Sequence, residues 1–248
     1  MIGVPSSLPS SPARVAPGSL VPPAIATFAW PAALSLPLAA AFLVAVPVFL
    51  QAPWVRLAPM AATLFTVPLA ALGVVLEQRS RGPLRPLGVL LVGFAGSWLG
   101  GSLFWGWFRL HPLWHLPIEA FALPLALAGL RSRWRLAATF YLASLLGTAA
   151  TDAVMAAGGL MDFWPRVLAA TPAEAPALLQ DAAAAALRPL PLTLTLLAAA
   201  MLSALGVWLW RRGDREGQVG AATLATTLAV DGIFLLAAAL APRLSGLI

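Results

Sequence analysis

The chain has 248 residues, 60% of them hydrophobic and only 10% charged, with a net charge of +6 and no cysteine. Soluble domains carry about 25% charged residues, and a soluble core this apolar would have no polar surface left, so a soluble globular protein is excluded. The missing cysteines exclude disulfides, iron–sulfur ligation and thiol catalysis. The mean hydropathy of +0.89 points instead to a membrane protein, and the fold class expected is all-α, a polytopic transmembrane helix bundle.

Residues 1–28 hold Ser6, Ser7, Ser10, Ser11 and several prolines, too polar and too rich in breakers to pack, which predicts a mobile tail ahead of a single transmembrane domain over 29–248. The tail is long, carries Arg14 and leads into an apolar run longer than a signal core, so the first span is expected to be retained. Apolar runs long enough for a helix to cross about 30 Å of hydrocarbon predict seven spans, with six as the alternative. Their approximate limits are 30–50, 59–76, 86–108, 112–130, 134–157, 189–210 and 219–241. The segment QAPWVRLA reads as a turn between the first two, and Pro37, Pro47 and Pro68 as kinks inside spans and not breaks. In the third span Gly93, Ser97 and Gly101 recur every four residues beside a second row of Gly96 and Gly100, a pattern that lets another helix approach closely. The only long loop, 158–188, contains Thr171-Pro172-Ala173-Glu174, a capping threonine followed by proline and glutamate, so a short surface helix is expected to begin there.

All the cationic side chains apart from histidine are arginines, and they alternate between the two ends of such a bundle. Arg79, Arg81, Arg85, Arg131, Arg133, Arg135, Arg211, Arg212 and Arg215 fall on one side with Arg14, whereas Arg56, Arg109, Arg166, Arg188 and Arg243 fall on the other. The positive-inside rule then places the N-terminus in the cytoplasm. Tryptophans mark both interfaces, Trp30, Trp134, Trp208 and Trp210 inside and Trp54, Trp105, Trp107, Trp114 and Trp164 outside, with Trp98 alone in mid-span. Clusters this short, set between apolar runs, are not a basic face for nucleic acid.

This topology puts the intramembrane ionisable residues in the outer half. Glu119 lies about 10 Å and Asp152 about 9 Å from the outer surface, Asp231 nearer the middle of its span, and His111 and His115 in the outer turn beside Arg109. Carboxylates at such depth face the bundle interior and mark an ion path or a binding site, unless they act as hydrogen-bonded helix glue with the nearby Thr148, Thr151, Thr226 and Thr227. On one continuous helix His111, His115 and Glu119 share a face, a spacing suited to a metal ion or a proton relay, but Pro112 and Pro117 interrupt the segment. Arg109 is the cation placed to pair with a carboxylate there. No Walker loop, dinucleotide fingerprint, HExxH or G-x-S-x-G sequence is present, so an enzyme is not expected. No cofactor is predicted, with a metal or pigment at His111 or His115 left open.

The stretch GSLFWGWFRLHPLWHLPIEAFALPLALAGL, followed by FYLASLLGTAATD, resembles a family of uncharacterised integral membrane proteins of cyanobacteria. That resemblance implies a multi-pass protein of an inner or thylakoid membrane and carries no catalytic residues. Two functions are expected from the whole. One is a small permease in which Glu119, Asp152 and Asp231 with His111 or His115 couple a cation or proton to solute entry. The other is a non-catalytic accessory or assembly factor of a photosynthetic membrane complex. The lipid bilayer is the expected partner, with a larger complex or a homo-oligomer as further candidates and no nucleic acid.

Overall fold

The computed structural model describes residues 32–240, so the expected tail, Trp30 and Arg243 lie outside them. Among the described residues the chain is helical, without strands. Helix α1 (Ala32–Val46) runs on through a π-helical turn (Pro47–Gln51) into Ala52–Leu57. It is followed by α2 (Pro59–Arg79) and α3 (Leu84–Phe108). Two short helices come next, α4 (His115–Glu119) and α5 (Leu123–Gly129), then α6 (Arg135–Ala157). The chain ends with α7 (Phe163–Ala169), α8 (Ala175–Ala186), α9 (Pro189–Arg211) and α10 (Arg215–Leu240). Six of them, α1, α2, α3, α6, α9 and α10, are long and apolar enough to cross a membrane.

Helix continues across Pro37, Pro47 and Pro68, as membrane helices allow. The expected QAPWVRLA turn is different. These residues prolong α1, and the break falls at Ala58 alone, whose backbone angles (φ −148°, ψ 70°) are those of no regular helix. Pro59 at the head of α2 needs no N–H partner there, so one residue suffices to reverse the chain.

The stretch expected as a fourth continuous span is not one helix. Its 18-odd residues divide into a 3₁₀ turn (Pro112–Trp114), α4, a second 3₁₀ turn (Ala120–Ala122) and α5. It nevertheless traverses the bundle, because it lies antiparallel along α6 at constant register. His115 meets Asp152, Glu119 meets Thr148, and Gly129 meets Ala138. From Ala138 to Asp152 a straight helix rises about 21 Å, so the broken segment covers most of a membrane's depth. Its two ends accordingly lie at opposite ends of the bundle. Arg133 approaches Glu77 at 3.9 Å and Arg135 pairs with Glu216 at 3.1 Å, which brings the three arginine-rich loops together at one end.

Helix α3 occupies the centre, with Val89, Leu90, Phe94, Ala95 and Trp98 buried, whereas α9 at the rim buries only Pro191 and Leu202. The core gathers Leu90, Phe94 and Trp98 of α3, Leu36 and Ala40 of α1, Phe140 of α6 and Val219 of α10. Trp98, the tryptophan expected in mid-span, is buried there and donates its indole N–H to the carbonyl of Ala62 at 2.8 Å, beside the irregular turn at Phe65. Lipid is as apolar as leucine, so close backbone contact and polar bonds hold such helices together. A β-carbon on Gly88 would stand 2.7 Å from the Glu77 nitrogen, and one on Gly93 would stand 2.5 Å from the Ala137 oxygen. The glycine rows of α3 therefore face several neighbours: Gly93 and Gly96 face α6, Gly100 faces Glu119 and Gly101 faces Gln51. Ser97 makes no side-chain hydrogen bond among the described residues.

Candidate functional site

The site lies at the end of the bundle away from the arginine loops, where α4 and α6 run side by side. Pro117 interrupts nothing, because it stands in the first turn of α4, where backbone N–H groups have no helical partner. His115 and Glu119 therefore share a face, and the imidazole Nε2 lies 3.3 Å from Glu119 Oε1. Nδ1 of the same ring lies 3.1 Å from both carboxylate oxygens of Asp152. One imidazole thus bridges two carboxylates from two elements, with all three side chains largely buried.

Hydroxyl groups complete the arrangement. Thr148 donates to the second oxygen of Glu119 at 3.1 Å, and Thr151 donates to Asp231 at 2.7 Å, which ties α6 to α10. Tyr141, the only tyrosine of the chain, donates its O–H to the carbonyl of Glu119 and accepts the N–H of Ala122 at 3.2 Å. It thereby fills the gap in backbone hydrogen bonding where α4 gives way to the second 3₁₀ turn. Gly100 makes room for this bend, since a β-carbon there would lie 3.1 Å from the α-carbon of Glu119.

Aromatic rings close the site. Phe104 is fully buried with its centroid 4.4 Å from the imidazole, and Trp105 and Trp164 stack at 5.6 Å beside it. Trp164 comes from α7, a helix in the loop between α6 and α9, and is pinned by its indole N–H to the carbonyl of Arg109 at 2.9 Å. The loop also carries the expected capping sequence, but Thr171 does not cap α8: Glu174 holds the N-cap position and makes no side-chain cap bond, so the helix starts later than expected. Glu174 reaches back to the Thr171 N–H at 3.1 Å and accepts the Thr171 hydroxyl at 2.8 Å, and α8 begins directly afterwards at Ala175. These two bonds lower the pKa of the exposed Glu174 carboxyl.

Of the residues expected at the site, His115, Glu119 and Asp152 are brought together, and Asp231 is held next to them by Thr151. His111 and Arg109 are not. Pro112 starts the 3₁₀ turn that separates His111 from α4, leaving it exposed and without a side-chain hydrogen bond among the described residues. Arg109 forms no ion pair among the described residues and contributes its carbonyl instead. Nor do any three histidine, aspartate or glutamate side chains there stand in a metal-holding group. With both nitrogens of His115 already facing carboxylates, a metal or pigment would have to displace one of them.

Sequence reasoning missed three polar residues. Gln51, assigned to a turn, is buried and donates to the Trp98 carbonyl and to Ser102 Oγ, each at 2.7 Å. Tyr141 was indistinguishable from a packing aromatic. Glu77, at the arginine-rich end, is 3% exposed and paired with Arg85 at 3.1 Å. The only signal for it was a lone carboxylate closing an apolar run.

Six long apolar helices, a seventh broken traverse and a polar cluster sealed between them define a multi-pass helical membrane protein. The chain belongs to the family described as "Protein of unknown function (DUF3120)", whose model matches residues 40–239 and so contains every residue of the cluster. No curated protein and no solved structure matches it.

Proposed function

We propose that the protein is a small permease that couples proton movement to solute passage, with the His115 cluster as its proton site in the outer half of the bundle and the arginine-rich end in the cytoplasm. The observation that carries this reading is the imidazole held between Glu119 and Asp152. An imidazolium donates to both carboxylates at once, whereas neutral imidazole has a single N–H and leaves one carboxylate without its donor. The cluster thus has two states that differ by one proton and by which helix, α4 or α6, is tied to the ring. Ionisable groups inside membranes are costly, and where they persist they commonly serve as relays. Discontinuous helices at such groups are a recurring feature of secondary transporters, and the broken α4–α5 segment is discontinuous at the cluster itself.

The test is reconstitution of the full chain into proteoliposomes enclosing a pH-sensitive dye, screened against amino acids, sugars, organic anions and inorganic cations. The expected result is a solute-dependent proton flux that His115→Gln and Asp152→Asn each reduce at least tenfold while the protein remains folded and inserted. If no class of solute moves protons, and the protein instead leaves native membranes bound to a larger complex, the permease reading fails and the accessory-subunit reading takes its place.

A further inference from the structure

The opposite end of the bundle carries a second polar feature that proton coupling does not use. A cavity of about 470 Å³ opens between the α2–α3 turn and the loop before α6, lined by Glu77, Arg79, Ser80, Arg81, Arg85 and Arg133. Four arginines and one carboxylate line it. Glu77 is fixed from below, because Gly73 and Gly88 let α2 and α3 touch backbone to backbone at its own amide. Its Oε1 accepts from Arg85 at 3.1 Å. Its Oε2 is buried and has no hydrogen-bond partner, since Arg133 stops at 3.9 Å. Arg79 and Arg81 form no ion pair among the described residues. A buried acceptor without a donor is unfavourable, more so when charged, so Glu77 is short of one hydrogen-bond donor and the cavity holds an excess of positive charge.

We propose that this cavity binds a phosphate anion that also carries an O–H group, the phosphate held by the arginines and the O–H donating to Glu77 Oε2 as the exposed Arg133 side chain turns from the carboxylate to the phosphate. Guanidinium groups match phosphate oxygens as paired donors, and basic pockets at one membrane face are established headgroup sites. A hydroxyl-bearing phospholipid headgroup and a soluble phosphate share this chemistry. The inference does not depend on the proton reading of the outer cluster.

The test is native mass spectrometry of the full chain in detergent with phosphatidylglycerol or phosphatidylcholine added, and thermal unfolding with inorganic phosphate or sulfate. Phosphatidylglycerol carries free hydroxyls and a net negative charge, and phosphatidylcholine has neither. The expected result is at least tenfold greater retention of phosphatidylglycerol, undisturbed by millimolar phosphate and reduced about tenfold by the double substitution Arg79→Gln, Arg81→Gln, both at exposed positions. Stabilisation by inorganic phosphate but not sulfate, lost in the same variant and without lipid preference, assigns the site to a soluble phosphate instead. Equal retention of the two lipids with no effect of phosphate overturns the proposal, as does binding unchanged by the double substitution. Equal stabilisation by sulfate and phosphate overturns the role given to Glu77 Oε2.

Discussion

Each end of the bundle buries a carboxylate beside a cation, and the two ends solve that problem differently. At the arginine-rich end Glu77 faces guanidinium groups whose charge is permanent and whose side chains are about 60% exposed. At the other end Glu119 and Asp152 face a single imidazole, largely buried, whose charge is conditional. A permanent cation neutralises its partner under all conditions. A conditional one makes the arrangement depend on a proton, and among the described residues the His115 end is built that way. The surroundings differ in the same sense: the buried Glu77 lies at the floor of a wide cavity lined by arginines, and the His115 cluster is roofed by Phe104, Trp105 and Trp164.

The sharpest way to break this comparison is to remove one partner at each end. Asp152→Ala leaves a buried imidazole and Glu119 with half their network and is expected to cost about 3–5 kcal/mol. Arg133→Ala at the exposed mouth is expected to cost less than about 1 kcal/mol. Thermal unfolding of both variants in the same detergent decides it, and equal losses would remove the distinction between the ends. Next in size, Gly88→Leu forces α2 and α3 apart where a β-carbon already meets backbone at 2.7 Å, for about 2–3 kcal/mol. Because the strain falls beside Glu77, the His115 cluster should keep the proton flux proposed for it in whatever fraction folds. Tyr141→Phe removes the O–H that serves Glu119 and Ala122, for about 1 kcal/mol, and should loosen α4 against α6 without touching the arginine cavity. Amide exchange at Ala122 reads the change directly.

The smallest effect concerns the loop that carries the roof. Glu174 has a lowered pKa in the folded chain, so its contribution is complete above the unfolded value and fades as pH falls through the folded one. The protection of the Ala175 and Ala177 amides, taken relative to the intrinsic exchange rate at each pH, should therefore fall at acid pH, and Glu174→Gln should make that protection independent of pH in the same range.

Much of this was legible from composition and spacing. The apolar runs predicted the helices, the arginine pattern correctly grouped the three loops whose residues meet through Glu77 and Glu216, and depth counting singled out Glu119, Asp152 and Asp231. What resisted prediction depended on tertiary partners. Pro112 and Pro117 have the same sequence character, but one separates His111 from the cluster and the other sits harmlessly inside α4, a difference set by which N–H groups the helix needs. Gln51 looked like a turn residue because its carbonyl and hydroxyl partners lie 47 and 51 positions away. Glu77 looked like a span terminus because the glycines that bury it act through α3. The fourth traverse was placed correctly and given the wrong regularity, since its breaks are compensated by a hydroxyl on another helix.

The aromatic roof has one more consequence, an optical one. Trp164 and Trp105 stand 5.3 and 6.4 Å from the His115 ring. A cationic imidazole at that range quenches indole emission and a neutral one quenches it less. The occupancy of the ring by its second proton is therefore written into the intrinsic fluorescence of the protein, and comparison with Trp164→Phe isolates that signal from the remaining tryptophans. The state of the cluster can thus be followed in real time by light alone.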